Sequence, residues 1–378
     1  VQSARLGERT VTIDTSPPPA VRWKGLDGLR AFAVLLVLAC HFGFHAQGGI
    51  VGVDVFFVIS GFLITSLLLK ERDKTGGISY RDFWVRRAYR LFPALGCAIV
   101  FAVIMSRWAL PAERHQTLIG VPPVLLYVGN WWVVFGPAHS LGLLSPDWSL
   151  AVEEQFYVIW PLVAALWLAR TANRKRAALI IGMLAILDVG WLATTSLVLH
   201  YNNVYVRTDT HAMGLLAGSA LAMLLTRPKA VTLAPGLAKA LQAIAVVAVL
   251  AIVGVTLVMH QTAASEAMAI TAGTLAAVVL LVGLVLVPTG WVTNLFELRV
   301  AKWIGVRSYG IYLFNYPISV LLLAHLHTHN ATRLALSLVG IMASIAIAAA
   351  SYKWVERPFL ERKARYSAAR GTASLATI

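Results

Sequence analysis

The chain has 378 residues, 58% hydrophobic and only 13% charged, with a formal net charge of +15 and a mean hydropathy of +0.73. A water-soluble fold of this length cannot hide so much apolar side chain, so the composition excludes a soluble enzyme and requires lipid. The basic residues lie between apolar runs rather than along one face, which sets them against anionic headgroups and argues against a nucleic-acid partner.

Residues 1–22, with Pro17-Pro18-Pro19, read as a disordered cytoplasmic lead that lacks the apolar core of a cleaved signal peptide. Stretches of roughly 18 or more mostly apolar residues then mark helices that cross a bilayer. They fall at Leu26–His45, Ile50–Leu69, Leu91–Leu110, Trp148–Ala169, Ala177–Leu199, Thr208–Leu225, Leu237–Met259, Ala267–Val287, Ser308–Leu326 and Leu334–Ser351. A further apolar run, Leu118–Phe135, is interrupted by Pro122-Pro123 and Asn130. Leaving it out as a span puts 27 of the 32 Lys and Arg on one side and four on the other, with Arg30 inside the first span, as the positive-inside rule asks. The expectation is an all-α integral membrane protein of about ten transmembrane helices, both termini cytoplasmic, with 118–135 re-entrant or interfacial. The transmembrane domain covers 23–360, and 361–378 reads as a basic cytoplasmic tail. Trp303, Tyr309, Tyr312 and Trp354, near span ends, fit an aromatic belt. Cys40 and Cys97 both sit inside apolar runs, which excludes a disulfide frame and a thiolate metal site.

An ionisable side chain inside a span is costly unless it faces protein or water, so it marks function by default. Arg30 and His41 stand eleven residues apart in the first span. At 100° per residue they lie within about 20° of one face, with His41 roughly 16 Å further along. In the fourth span Glu153 lies about 7 Å below the outer edge, while His41 lies about 22 Å above the inner one, and in a core about 30 Å thick these depths coincide. A carboxylate beside a histidine holds its tautomer and favours its protonated form, as a general base requires. A buried pair that only fixes helix packing is the alternative. Glu154, about 100° round the helix, orients a neighbour or meets water.

Arg87 and Arg90, three apart in Arg86-Arg87-Ala88-Tyr89-Arg90, share a helical face and can grip one phosphate; they serve equally well as ordinary positive charge. Ser60-Gly61, near mid-membrane, admits a close backbone or a ligand, helix packing being the commoner use. His325, His327 and His329 alternate with no carboxylate or cysteine near in sequence, which reads as a solvated loop, and no metal site is expected. There is no nucleophile elbow and no phosphate-binding glycine loop.

Several segments, taken in order, resemble the bacterial acyltransferase 3 family of membrane O-acyltransferases. They are Gly28-Leu29-Arg30 with His41 after ten intervening residues, Phe56-Phe57-Val58-Ile59-Ser60-Gly61-Phe62-Leu63, Arg87-Ala88-Tyr89-Arg90 and Trp148-Ser149-Leu150-Ala151-Val152-Glu153-Glu154-Gln155-Phe156-Tyr157. Arg207-Thr208-Asp209-Thr210, Ser308-Tyr309-Gly310-Ile311-Tyr312-Leu313 and Val355-Glu356-Arg357-Pro358-Phe359 follow, so the likeness runs from about Trp23 to Phe359. The resemblance implies ten core helices in a bacterial cell membrane. It also implies transfer of an acetyl or other short acyl group from cytoplasmic acyl-CoA, a co-substrate rather than a resident cofactor. The acceptor it implies is a hydroxyl of a sugar, glycan, glycolipid or secreted small molecule such as a macrolide antibiotic. Arg30, His41 and Glu153 fall on the family's functional residues, and Arg87 and Arg90 on its Arg-x-x-Arg motif. His211 stands where many members have Arg. Asn315 stands where many have His, which puts in doubt a part for the ninth span in proton transfer. The chain resembles the stand-alone members of the family.

Residues and resemblance together give one expectation. Arg87, Arg90 and Arg86 hold the acyl-CoA phosphates with Ser60 beside the donor, and Arg30 extends that grip or polarises the thioester carbonyl. His41, oriented by Glu153, deprotonates the acceptor hydroxyl. No serine or cysteine has an obvious base beside it, which favours direct transfer. The rival reading is a secondary transporter of a small polar solute, but the charges crowd into the first four spans rather than into duplicated halves.

Overall fold

The structure, a computed structural model, describes residues 23–44, 46–137, 139–170, 173–201, 203–226, 233–260, 262–323 and 331–369. The lead 1–22, the alternating histidines His325, His327 and His329, and the chain from 370 onward lie outside the described residues. In hydrocarbon an unpaired backbone amide is costly, so a chain this apolar closes its hydrogen bonds within helices. Every regular element described is indeed helical: α1 (Leu26–His41), α2 (Val51–Thr75), α3 (Tyr80–Trp108), α4 (Arg114–Leu125), α5 (Gly129–Phe135), α6 (Trp148–Arg170), α7 (Arg174–Leu197), α8 (Met213–Leu225), α9 (Pro235–Val258), α10 (Ala263–Leu286), α11 (Trp291–Phe296), α12 (Arg299–Val306), α13 (Ser308–Leu323), α14 (Ala331–Ser351) and α15 (Arg357–Ala369). Side-chain oxygens start several of them, Ser79 accepting from the Asp82 amide at 3.3 Å and Asn173 from the Arg176 amide at 3.1 Å.

Each of the ten expected spans coincides with a helix, and the chain is a multi-pass membrane protein. Among the described residues, seven helices are long and apolar enough to cross a bilayer: α2, α3, α6, α7, α9, α10 and α14. Three are shorter, α1, α8 and α13 having 16, 13 and 16 residues. At 1.5 Å per residue these run about 20–24 Å, short of a core about 30 Å thick. Irregular backbone flanks them, including the 3-10 turns at Gln47–Ile50 and Thr208–Thr210, and such backbone is tolerated at depth where protein covers it.

The run 118–135 divides into α4 and α5, of 12 and 7 residues, neither long enough to span alone. Pro122 and Pro123 lie in the last turns of α4, where they remove amide donors, and the chain then bends at Tyr127 with φ 54°. Beyond α5 the 3-10 segment Gly142–Asp147 turns into the bundle, with five of its six residues buried. The Leu143 amide donates to Thr117 Oγ1 at 3.1 Å and ties that segment to α4. Consequently α6 begins inside the protein, not at a membrane edge.

α2 is the central helix: 78% of its most apolar stretch is buried, against 28% for α7, α9 and α14, whose exposed Leu, Ile, Val and Met side chains form the lipid face. α8 crosses α2 backbone to backbone. A Cβ on Gly61 would come 2.0 Å from the Leu215 carbonyl, and one on Gly218 2.1 Å from that of Val58. Gly61 thus serves packing and leaves Ser60 to face another side.

Two expectations change. Trp303 and Trp354 are exposed as a belt requires, but Tyr312 is buried, and Tyr309 and Tyr312 both line an internal cavity. The expected basic tail from 361 is helical as far as Ala369. α14 passes through the π-helical turn Tyr352–Glu356 into α15, and Tyr366 Oη donates to Asp82 Oδ1 of α3 at 2.6 Å. Arg362 and Arg365 face outward and account for the tail-like composition, while Lys363 and Ser367, one turn apart, face inward and are buried.

Candidate active site

Side chains of α1, α2, α3, α6, α13 and α15 surround one cavity. Arg30, Arg86, Arg87 and Arg90 make its basic end together with Lys363, while Ser60, Glu153, Ser149 and Tyr312 make a polar wall. Six of the seven residues expected at the site therefore share a chamber, namely Arg30, Ser60, Arg86, Arg87, Arg90 and Glu153. His41 is not among the lining residues.

The expected pairing of His41 with Glu153 is not formed. Ser60 Oγ donates to Glu153 Oε1 at 2.7 Å, and two turns on, Trp160 Nε1 donates to Thr65 Oγ1 at 2.8 Å, so α6 runs beside α2 in the same direction. A helix α6 starting at the outer edge of the membrane would have brought Glu153 to the depth of His41. It starts in the interior, which carries Glu153 down to the level of Ser60. Ser60, expected to have no base beside it, meets a carboxylate.

His41 instead sets Nδ1 2.5 Å from Asn315 Oδ1. The Asn315 amide nitrogen donates to the carbonyls of Ile311 and Tyr312 at 3.1 and 2.6 Å, which fixes the amide with its oxygen toward the imidazole. His41 Nδ1 therefore donates, and in the neutral form of the ring Nε2 keeps its lone pair. α13 thus does reach His41, through the very residue that departs from the family pattern. The route from His41 to Glu153 passes one turn along α13 to Tyr312, across its 2.6 Å hydroxyl contact with Ser149, and one turn along α6. Those two turns amount to about 10 Å.

Arg87 and Arg90 share a face of α3 and both line the cavity. Arg87 Nε donates to Glu154 Oε1 at 3.0 Å, with its guanidinium 3.2 Å from the centre of the Tyr157 ring, so Glu154 orients a neighbour. Arg86 Nη2 donates to Glu71 Oε2 at 2.9 Å. Both arginines reach the chamber already paired, so the phosphate grip expected of them is shared with carboxylates. Arg30 Nη1 lies a longer 3.4 Å from Asp27 Oδ1.

Sequence reasoning passed over Lys363, Ser149 and Tyr312 as site residues. Ser149 and Tyr312 carry no charge and so raise no alarm inside a span, although both lie in segments that resemble the family. Lys363 stood in what read as a tail.

Two further knots brace the site. Thr208 Oγ1 donates to Gln155 Oε1 at 2.5 Å, and Gln155 Nε2 to Asn130 Oδ1 at 2.9 Å, tying α6 to α5 and to the segment before α8. Arg207 donates to both Asp209 carboxylate oxygens at 3.0 and 2.9 Å, and Trp191 Nε1 donates to Oδ2 at 3.1 Å. The second knot joins His211 Nε2 to Asp54 Oδ1 at 2.6 Å with neither side chain exposed, while His211 Nδ1 donates to the Tyr205 carbonyl at 2.6 Å. The His211 ring stacks on Trp148, the first residue of α6. The departure from Arg at position 211 thus still sets a basic ring against a carboxylate.

The family described as an acyltransferase domain, acyltransferase 3, matches residues 23–353. The chain belongs to that family. Curated relatives include the peptidoglycan O-acetyltransferase OatA of Listeria monocytogenes, 34% identical over 88% of this chain and 55% of the relative. The putative peptidoglycan O-acetyltransferase YrhL of Bacillus subtilis is 36% identical over 88% of this chain and 54% of its own length. A putative O-acetyltransferase of Staphylococcus aureus is 31% identical over 89% of this chain and 57% of its own length. The chain spans about half the length of these curated relatives. No solved structure matches it. Membership in an acyltransferase family lends the transporter reading no support.

Proposed function

We propose that this acyltransferase 3 chain moves a short acyl group, acetyl foremost, from acyl-CoA to a hydroxyl of a cell-envelope glycan. The observation that carries the reading is a chamber with a basic end and a polar wall, whose Tyr312 stands one turn along α13 from Asn315, the partner of His41 Nδ1. The basic end matches the phosphates of the donor, because guanidinium and ammonium groups bind phosphoryl oxygens strongly. The rise of roughly 16 Å between Arg30 and His41 along α1 favours the phosphate grip for Arg30 over the thioester carbonyl. Ser60 and Glu153 offer hydrogen bonds to the amide-bearing arm that links phosphates to thioester. His41 Nε2 removes the proton of the acceptor hydroxyl as that oxygen attacks the thioester carbonyl; the C–S bond then breaks, and the departing thiolate takes the proton from His41. Asn315 does the orienting formerly expected of Glu153. The glycan acceptor is supported by the names of the relatives, two of which are peptidoglycan O-acetyltransferases or putative ones.

The 2.7 Å contact of Ser60 with Glu153 favours a second route, through an acyl ester on Ser60 whose proton passes by way of Glu153 to the departing thiolate. Incubation with acetyl-CoA and no acceptor separates the two, since only the second leaves an acetyl group on the peptide that holds Ser60.

The test of the reading is thiol release by the purified chain in detergent with acetyl-CoA and glycan fragments. Transfer is expected to fall about 10²–10⁴-fold in His41→Ala, the usual range for loss of a general base. A folded His41→Ala variant with undiminished transfer overturns the assignment, and wild-type protein that consumes no thioester with any acceptor overturns the function.

A further inference from the structure

Lys363 lies on α15, beyond the residues 23–353 that match the family, yet it lines the same cavity as Arg30, Arg86, Arg87 and Arg90. Its side chain is only 7% exposed. Arg86 has Glu71, Arg87 has Glu154 and Arg30 has Asp27, but among the described residues no carboxylate lies within ion-pair distance of the Lys363 ammonium. A buried lysine set among four arginines is held against charge repulsion as well as lost hydration, and such a placement persists where an anion completes the site. The backbone aims it there. The π-helical turn Tyr352–Glu356 adds a residue to the helical register before α15, and such turns recur at functional sites. α15 then lies along α3, fixed by the Tyr366–Asp82 hydrogen bond one turn beyond Lys363.

We propose that Lys363 is a phosphate-binding residue for the acyl donor, so that α15 supplies part of the donor site from beyond residues 23–353. The inference rests on the acyl-CoA reading above and adds to it the group that meets the phosphates without a carboxylate already in place. Arg86 and Arg87 then serve chiefly to hold the basic end in shape, with Glu71 and Glu154 keeping their guanidinium planes fixed. Lys363 brings donors that no carboxylate already holds, and a lysine suits that part because its three donors turn to follow a mobile phosphate.

The experiment compares full-length wild type, Lys363→Gln and Lys363→Arg in phospholipid-free detergent, using acetyl-CoA and acetyl-pantetheine, the same thioester without phosphates, as donors. Lys363→Gln is expected to raise KM for acetyl-CoA about tenfold with kcat little changed, which is the loss of one charge-assisted contact. KM for acetyl-pantetheine should not move, and Lys363→Arg should restore most of the acetyl-CoA affinity. Direct titration with CoA, and separately with phosphatidylglycerol, covers the other source of phosphate: CoA binding weakens in Lys363→Gln and lipid binding does not. Equal KM changes for both donors, an unchanged KM for acetyl-CoA, or weakened lipid binding with intact CoA binding each overturns the proposal. Wild-type turnover in the same assays reports on the acyltransferase reading by itself: if wild type turns over and Lys363→Gln matches it, only the role of Lys363 falls.

Discussion

Two polar positions on the central helix α2 invite comparison. Asp54 and Ser60 are six residues apart, about 9 Å along the helix and about 120° round it. Each meets one partner on another segment, His211 at 2.6 Å and Glu153 at 2.7 Å. The Asp54–His211 pair is sealed, with no exposure on either side chain, and it does not line the chamber. The Ser60–Glu153 pair opens on the chamber that also holds the basic cluster. Insertion cost alone would rank both as functional, since ionisable groups in a span are expensive. Access to a cavity tells them apart: the first pair fastens α2 to the segment before α8 and to the start of α6, and the second faces whatever enters.

The sharpest way to break this comparison is Asp54→Ala, which leaves His211 buried and unpaired. The expected cost is about 3–5 kcal/mol, read as a lower melting temperature in detergent, with much of it recovered in Asp54→Ala/His211→Leu, where both members are replaced by apolar groups. An Asp54→Ala protein that melts like wild type would mean the sealed pair fastens nothing. A middling effect is expected for Ser60→Ala, which removes a hydrogen bond to a carboxylate worth about 1.5–3 kcal/mol. Here the loss should appear in acyl transfer, about tenfold to a hundredfold, with the melting temperature nearly unmoved because cavity water can take over the contact. Equal damage to both readouts would make the Ser60 pair a fastening like the other.

The smallest effect, and the most specific, is expected at Asn315→Asp. A carboxylate in place of the amide keeps an acceptor at His41 Nδ1 and favours the protonated imidazole, so the ring gives up its proton only at higher pH. The acidic limb of the pH profile of kcat/KM should therefore move upward by about one unit or more, with activity retained on its alkaline side. A limb that stays put separates His41 from the rate-governing base, and the contrast between an orienting partner and a merely packed one goes with it.

How far the sequence reaches differs from residue to residue. Arg87 and Arg90 on one helical face, Glu154 as an orienting group and the ten apolar segments as helices all follow from periodicity and hydropathy, which are local properties. The partner of Glu153 does not. That choice required the depth at which α6 begins, and depth depends on Gly142–Asp147 turning into the bundle. The same limit hid Lys363, since composition reports how basic a segment is but not which face of its helix meets another helix.

Taken alone, the residues determined a helical multi-pass membrane protein, an acyltransferase 3 resemblance in ordered motifs, and most of the side chains that share a chamber. Hydrophobic length and motif order encode those things directly, one stretch at a time. Tertiary structure alone decided that His41 is turned by Asn315, that Glu153 answers Ser60, and that α15 closes the basic end. Each of these is a contact between segments far apart in the chain, and where helices start, tilt and bend within the bilayer sets such contacts.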